Sequence, residues 1–237
     1  MHMIKEGLRK VILNGDDFGF SRGVNRGILE SINNGILTST SVMVNRPAAA
    51  EAQALSQIKD ISVGLHLDLT EEGVQRWLKI LYILSWSEKK IRIEFDKQIN
   101  KFGEIVGRLP DHIDSHHHIH WLTGFKKVVM SFAEEKKIPV RCVDATFEMG
   151  FYGRSLTKWK DPRGVTPDRL IRVIDNLPQG IHEIMCHPGF VDEELRKTGT
   201  TYLSQREEEV AALTSPKVIQ FIKENQDSIK IVSWREI

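Results

Sequence analysis

Four short runs of this sequence hold residues whose types and spacing suit metal-assisted chemistry. They are Asn14-Gly15-Asp16-Asp17-Phe18-Gly19, Gly64-Leu65-His66-Leu67, Asp114-Ser115-His116-His117-His118-Ile119-His120 and Cys186-His187-Pro188-Gly189. Each closes a short apolar run, and in α/β folds ligands bind at the carboxyl ends of the strands. The adjacent carboxylates of Asp16 and Asp17 repel if both are ionised and buried, and a cation relieves that repulsion. With Asp17 on the cation, Asp16 can sit one water away and take its proton, as a metal-activated hydrolase requires. A solvated turn uses the same residue types, but four polar runs each ending an apolar one argue for a site.

Two histidines and an aspartate make a plausible three-ligand site for one divalent ion with positions left open for water. His66 lies in an apolar run behind Gly64, which leaves room on that face for something to approach the backbone. A strand over 112–115 puts His112, Asp114 and His116 on one face by the period-two rule, with His117 pointing elsewhere. His116 is therefore the preferred second histidine, and Asp114 could orient a ligand through its other ring nitrogen. His118 and His120 share that parity and could reach metal or substrate if the strand runs longer. His187 offers an imidazole of nearly neutral pKa to protonate a departing amine. Arg141, after Pro139, could orient Asp16 or bind a carboxylate, although a surface ion pair accounts for it equally.

The elements that must position these residues follow from periodicity. Apolar alternation predicts strands over 11–13, 40–44, 61–69, 112–115, 140–143, 181–186 and 229–233. Helical spacing predicts helices over 24–33, 89–107, 125–137, 169–176 and 204–213, and a helical stretch from Pro47. Gly35 suits a left-handed helix end, Ser204 and Glu207 a capping box, and 146–167 a long loop. Alternating strands and helices, about seven units of them, imply an α/β fold with a mainly parallel sheet. An irregular (β/α) barrel fits that number, and a doubly wound open sheet gives the same linear pattern. The 237 residues suffice for one domain spanning 1–237.

Composition narrows the partners. Thirty-three Lys and Arg against 32 Asp and Glu leave a formal charge of +1, so no global field attracts nucleic acid or a membrane surface. A small-molecule partner is expected. Only two cysteines, Cys142 and Cys186, occur. With no basic segment and apolar core opening the chain, a reducing, cytoplasmic setting without disulfides is the expectation.

Taken together, in this order, the four runs resemble the YdjC-like carbohydrate deacetylases, the chitooligosaccharide deacetylases among them. Further agreement comes from Gly35-Ile36-Leu37-Thr38-Ser39-Thr40-Ser41 and Leu203-Ser204-Gln205-Arg206-Glu207, so that the resemblance runs from about Val11 to the C-terminus. It implies a single divalent ion, Mg2+ or Zn2+, on an irregular (β/α) barrel, an N-acetylated sugar as substrate, and a homodimer. It also implies Asp17, His66 and His116 as metal ligands, Asp16 as base and His187 as acid. The sequence departs from relatives after Leu69-Thr70, where Glu71-Glu72-Gly73-Val74-Gln75-Arg76-Trp77 is a shortened segment that implies a different or more open pocket. Trp77, Trp86, Trp121 and Trp159 are candidates to stack on a sugar face, and Trp121 alone is placed near the metal by sequence. Three rival functions stand beside deacetylation. A metal-dependent phosphoesterase would need a second metal or a basic clamp on phosphate, a non-catalytic sugar- or metal-binding protein would not need Asp16 or His187, and a structural metal protein would close the fourth position with another protein ligand.

Overall fold

A computed structural model describes residues 7–69, 81–154 and 164–237. The segment after Thr70, with Trp77, and Trp159 lie outside the described residues. Seven parallel strands form one sheet: β1 (Arg9–Phe18), β2 (Ser39–Val42), β3 (Ser62–Leu67), β4 (Ile113–Ser115), β5 (Thr146–Glu148), β6 (Gly180–Cys186) and β7 (Ile229–Ile231). The order is β4-β3-β2-β1-β6-β5, with β7 pairing the first residues of β1 from Arg9↔Ile229 to Val11↔Ile231. β1 and β2 are buried almost throughout, because helices cover the outside of a parallel sheet and its own curvature covers the inside.

The helices are α1 (Arg22–Asn33), α2 (Glu88–Val106), α3 (Thr123–Lys136), α4 (Pro167–Asn176), α5 (Glu193–Lys197), α6 (Ser204–Leu213) and α7 (Pro216–Glu224). Ser21, Ser87, Thr166 and Asp192 cap four of them by accepting a backbone N–H in the first turn. Gly107 ends α2 at φ 84°, a left-handed position that glycine takes without strain.

One guanidinium decides between the two folds that the linear pattern allows. Arg141 bonds both Asp114 on β4 and Glu183 on β6. Those strands are four places apart in the sheet, roughly 19 Å if it were flat. The sheet therefore curls into an irregular barrel of seven strands. Among the described residues no helix is long and apolar enough to cross a membrane.

Several local expectations are corrected. The predicted strand over 140–143 reduces to a single bridge between Val140 and Ile113. Val140 N–H instead bonds Asp144 Oδ2 at 2.8 Å, and the chain turns with Cys142 at φ 64°. Part of the expected loop over 146–167 is β5, whose three residues are too few to display alternation. The stretch after Pro47 is a 3-10 helix, Ala49–Gln57. Gly35 is not left-handed; a Cβ there would meet the carbonyl oxygens of Leu213 and Ser31 at 2.6 Å, so close packing explains it. No capping box opens α6, since Glu207 Oε1 accepts from Val191 N at 3.1 Å instead. The room left by Gly64 is filled by His112, whose ring would lie 2.3 Å from a Cβ and which stacks on Trp234.

Gly27 on α1 touches the Pro188-Gly189 turn, where an added Cβ would come within 2.4 Å of Gly189 Cα. Gly27→Ala is expected to destabilise the protein by about 1–3 kcal/mol even though alanine is the better helix former. The measurement is urea unfolding, and a midpoint no lower than wild type would mean that α1 and this turn separate freely.

Candidate active site

The pairing of β1 with β2 slips between Gly15 and Phe18, and Asp17 sits in that irregularity at φ 74°. Left-handed backbone at a non-glycine residue costs on the order of 1–3 kcal/mol. Its effect is to bring two neighbouring side chains to one place. In a regular strand Asp16 and Asp17 would face opposite ways, yet here both meet the ring of His66. Asp17 Oδ1 is 3.4 Å from His66 Nε2, and Asp16 Oδ2 is 4.0 Å from His66 Nδ1.

His116 Nδ1 lies 3.3 Å from the same Asp17 Oδ1. The ligand atoms of Asp17, His66 and His116 fall within 4.8 Å of one another. Asp17 Oδ1 and His66 Nε2 are buried without any hydrogen-bond partner, an arrangement too expensive to leave uncompensated. On the far side of the ring, His66 Nδ1 is 2.8 Å from Asp114 Oδ1 and 3.1 Å from Ser41 Oγ, which directs the Nε2 lone pair towards Asp17. Burial opposes a charged His66, but Asp114, Asp17 and Asp16 outweigh it and hold its pKa well above the usual value. The position therefore favours positive charge. Three convergent donor atoms, two of them orphaned, fit a divalent cation.

Arg141, fully buried, organises the other carboxylates. Its Nη1 and Nη2 bond both oxygens of Asp16 at 2.8 and 2.6 Å, and its Nε bonds Glu183 at 2.9 Å. Nη2 also lies 2.8 Å from Asp114 Oδ2. Burial alone would raise the pKa of Asp16 and Asp114, but the guanidinium lowers both below the ordinary carboxylate value. Asn14 Nδ2 adds a bond of 2.7 Å to Asp16 Oδ1. Asp16 is thus held ionised and oriented. His187 Nε2 is 4.0 Å from Asp16 Oδ2, and burial pushes His187 down to about 4, so it rests neutral.

The structure thus brings together Asp16, Asp17, His66, Asp114, His116, Arg141 and His187. His118 and Trp121 are placed otherwise, because β4 ends at Ser115 and the chain then turns through His117 and His118 at φ 56° and 55°. Strand parity ceases to apply there. His118 packs edge-on against Phe147 at 5.2 Å, with Nδ1 unpartnered. Trp121 packs under Lys126 Nζ at 4.5 Å and beside His120. Trp86 lies against Phe125 and Tyr82.

Sequence reasoning missed Glu183, Arg206 and Glu209. Arg206 Nη2 bonds Asp17 Oδ2 at 2.7 Å, and Glu209 accepts from the backbone N–H of His187 and from the Tyr202 hydroxyl. The charge of Glu183 inside an apolar strand was a readable signal. No spacing rule marks buried charges on a helix. Around the site five buried carboxylates, Asp16, Asp17, Asp114, Glu183 and Glu209, face two buried guanidinium groups, Arg141 and Arg206. Glu183 and Glu209 are pushed up to about 7 by burial, which lightens the negative excess, and a divalent cation would offset the remainder.

A curled parallel barrel with a buried Asp-His-His cluster at its strand ends is the plan of a hydrolytic metal site. The pattern of the YdjC-like protein family matches residues 10–224, and the chain belongs to that family. A carbohydrate deacetylase of Clostridium beijerinckii is 34% identical over 248 residues, covering 96% of this chain and 100% of that protein. A chitooligosaccharide deacetylase of Yersinia enterocolitica is 32% identical, with 90% and 94% covered. The crystal structure of an Enterococcus faecalis protein named for cellobiose-phosphate cleavage superposes with a TM-score of 0.80 at 25% identity, covering 97% of this chain and 99% of that one.

The raised pKa of Glu209 means that the folded protein keeps a proton the unfolded chain has released. That stabilisation is full below the ordinary value of 4.5 and is lost as pH rises through about 7. Glu209→Gln should remove roughly 2 kcal/mol of this dependence between about pH 5 and pH 8. Urea unfolding at the two pH values checks it, and identical losses in variant and wild type would refute the assignment.

Proposed function

We propose that this chain is a single-domain, metal-dependent hydrolase that removes acetyl groups from N-acetylated carbohydrates, an amino sugar or a chitooligosaccharide. Its class, a hydrolase of carbon–nitrogen amide bonds, follows from its family and from relatives named deacetylases. The observation that carries the reading is the convergence of Asp17 Oδ1, His66 Nε2 and His116 Nδ1, two of them buried and unpartnered, beside an Asp16 held ionised by Arg141. Asp17, His66 and His116 would hold one divalent ion. Two imidazole nitrogens favour Zn2+ or another transition ion over Mg2+, although supply also decides occupancy. Bound there, the ion would supply Lewis acidity to the acetamide carbonyl and to water.

The chain's own residues supply the proton traffic. Asp16 accepts the proton of the attacking water, and Arg141 keeps its oxygens aimed while it does so. His187 rests neutral, so the proton it passes to the departing amine is the one taken up at Asp16, 4.0 Å away. Asp114 fixes the His66 tautomer through Nδ1. His118, packed on Phe147 with a buried, unpartnered Nδ1, is a candidate to contact substrate. The resemblance adds a homodimer, and cysteine usage a reducing, cytoplasmic setting.

A two-metal phosphoesterase is the weaker reading. The second acidic group, Asp16, His66 and Asp114, has the spacing for another ion, but Arg141 already bonds both of its carboxylates.

Acetate release from N-acetylated mono- and oligosaccharides, assayed beside phosphate esters with metal content measured in parallel, tests the proposal; turnover of phosphate esters alone would overturn it. Asp16→Asn is expected to keep its metal and lose roughly 10²- to 10⁴-fold in turnover. His66→Ala and His116→Ala should lose metal and turnover together.

A further inference from the structure

Helix α6 turns two charged residues inwards. Arg206 is 3% exposed and Glu209 is not exposed at all. Three residues apart, they share one helix face. Apolar side chains would fill that face at no desolvation cost, whereas each buried charge is expensive unless fully engaged. Both are engaged, and their partners are the two ends of the site. Arg206 Nη2 bonds Asp17 Oδ2 at 2.7 Å, while its Nη1 reaches the backbone oxygen of His187 at 3.4 Å. Glu209 takes the backbone N–H of His187 on one oxygen and the Tyr202 hydroxyl on the other.

The same helix holds the rest of the turn that carries His187. Gly189 N–H bonds Arg206 O at 3.2 Å, and Val191 N–H bonds Glu207 Oε1 at 3.1 Å. Four backbone groups between His187 and Val191 are thus tied to α6, and one arm of Arg206 continues to Asp17. Arg206 is itself steadied by Tyr202 O at 3.2 Å and lies over the Phe20 ring at 5.8 Å. Tyr202 is fixed in turn, its hydroxyl accepting from Gly153 N at 3.0 Å.

We propose that α6 is a clamp setting the distance between Asp17 and His187, with Arg206 and Glu209 as positioning residues. The inference rests on the reading of Asp17 as a metal ligand and His187 as the proton donor. Arg206 restricts Asp17 to ligation through Oδ1 alone, because Oδ2 is taken. Glu209 sets the height of the His187 backbone and through it the reach of the imidazole. A misplacement of about 1 Å between reacting groups is enough to lower a rate on the order of 10²-fold, so the clamp acts on turnover without touching substrate.

The test uses the full chain loaded with Mn2+. Paramagnetic relaxation of the His187 ring protons reports the distance from metal to imidazole, and kcat, KM and melting temperature are measured alongside. Glu209→Ala and Arg206→Met are each expected to lower kcat by roughly 10- to 100-fold with KM held within about threefold, and to change the His187 relaxation. Glu209→Gln, which keeps an acceptor for the His187 N–H, should restore most of the rate. If the truncations do not fold, Arg206→Lys carries the test. It keeps the charge beside Asp17 but loses the arm to His187, so kcat should fall while Mn2+ affinity stays within about threefold. A lower melting temperature with kcat per folded, metal-loaded protein and relaxation both unchanged would overturn the clamp. Wild-type protein that binds Mn2+ but releases no acetate defeats the deacetylase reading alone, leaving the clamp to be judged on relaxation. Wild-type protein that takes up no metal defeats both.

Discussion

The buried guanidinium of Arg141 is the interaction on which the rest of this molecule depends. It joins Asp16 at the end of β1, Asp114 on β4 and Glu183 on β6, and a flat sheet would keep β4 far from the adjacent pair β1 and β6. A charge so deep is tolerable only when every donor is engaged, and removing one partner of such a group generally costs about 3–5 kcal/mol. The curl of the sheet and the satisfaction of Arg141 are therefore one constraint. The planar fork of donors also explains why arginine stands there, since two of its edges serve different carboxylates at once.

What Arg141 leaves over shapes the candidate metal site. It takes both oxygens of Asp16 and one of Asp114. The other oxygen of Asp114 turns to His66, and His66 turns its Nε2 to Asp17. Each link sets the orientation of the next, so the unpartnered atoms facing His116 result from a chain of satisfied ones. The backbone adds its own share. The slip in β1 and the left-handed Asp17 hold strain that an ordinary strand would shed, and the surrounding contacts keep it in place.

The charge balance around the site has the same origin. Arg141 and Arg206 alone do not neutralise the five buried carboxylates that face them there. Burial answers by protonation at Glu183 and Glu209, both pushed up to about 7, and the Asp-His-His cluster answers by favouring a cation. Proton affinity and fold stability are consequently linked in this protein, and a cation bound at the cluster would be linked to both.

The sequence by itself determined the kinds of residue at the site and most of the elements that carry them. Asp17, His66 and His116 were legible because each ends an apolar run, and strand ends are where an α/β fold exposes polar groups to a ligand. Helices such as α1 and α2 were legible from apolar spacing, whereas the left-handed cap at Gly107 appeared only in the fold. Tertiary structure alone decided the curl of the sheet, since the same alternation of strands and helices fits a doubly wound open sheet and a barrel. It decided the course of the chain after Ser115, where left-handed backbone at His117 and His118 ended the parity rule. It also decided the roles of Arg141, Glu183, Arg206 and Glu209. Local sequence reports what a residue is and how it repeats along the chain. The partner that makes a buried charge affordable lies as far as 189 positions away, as with Arg206 and Asp17, and only the folded chain brings the two together.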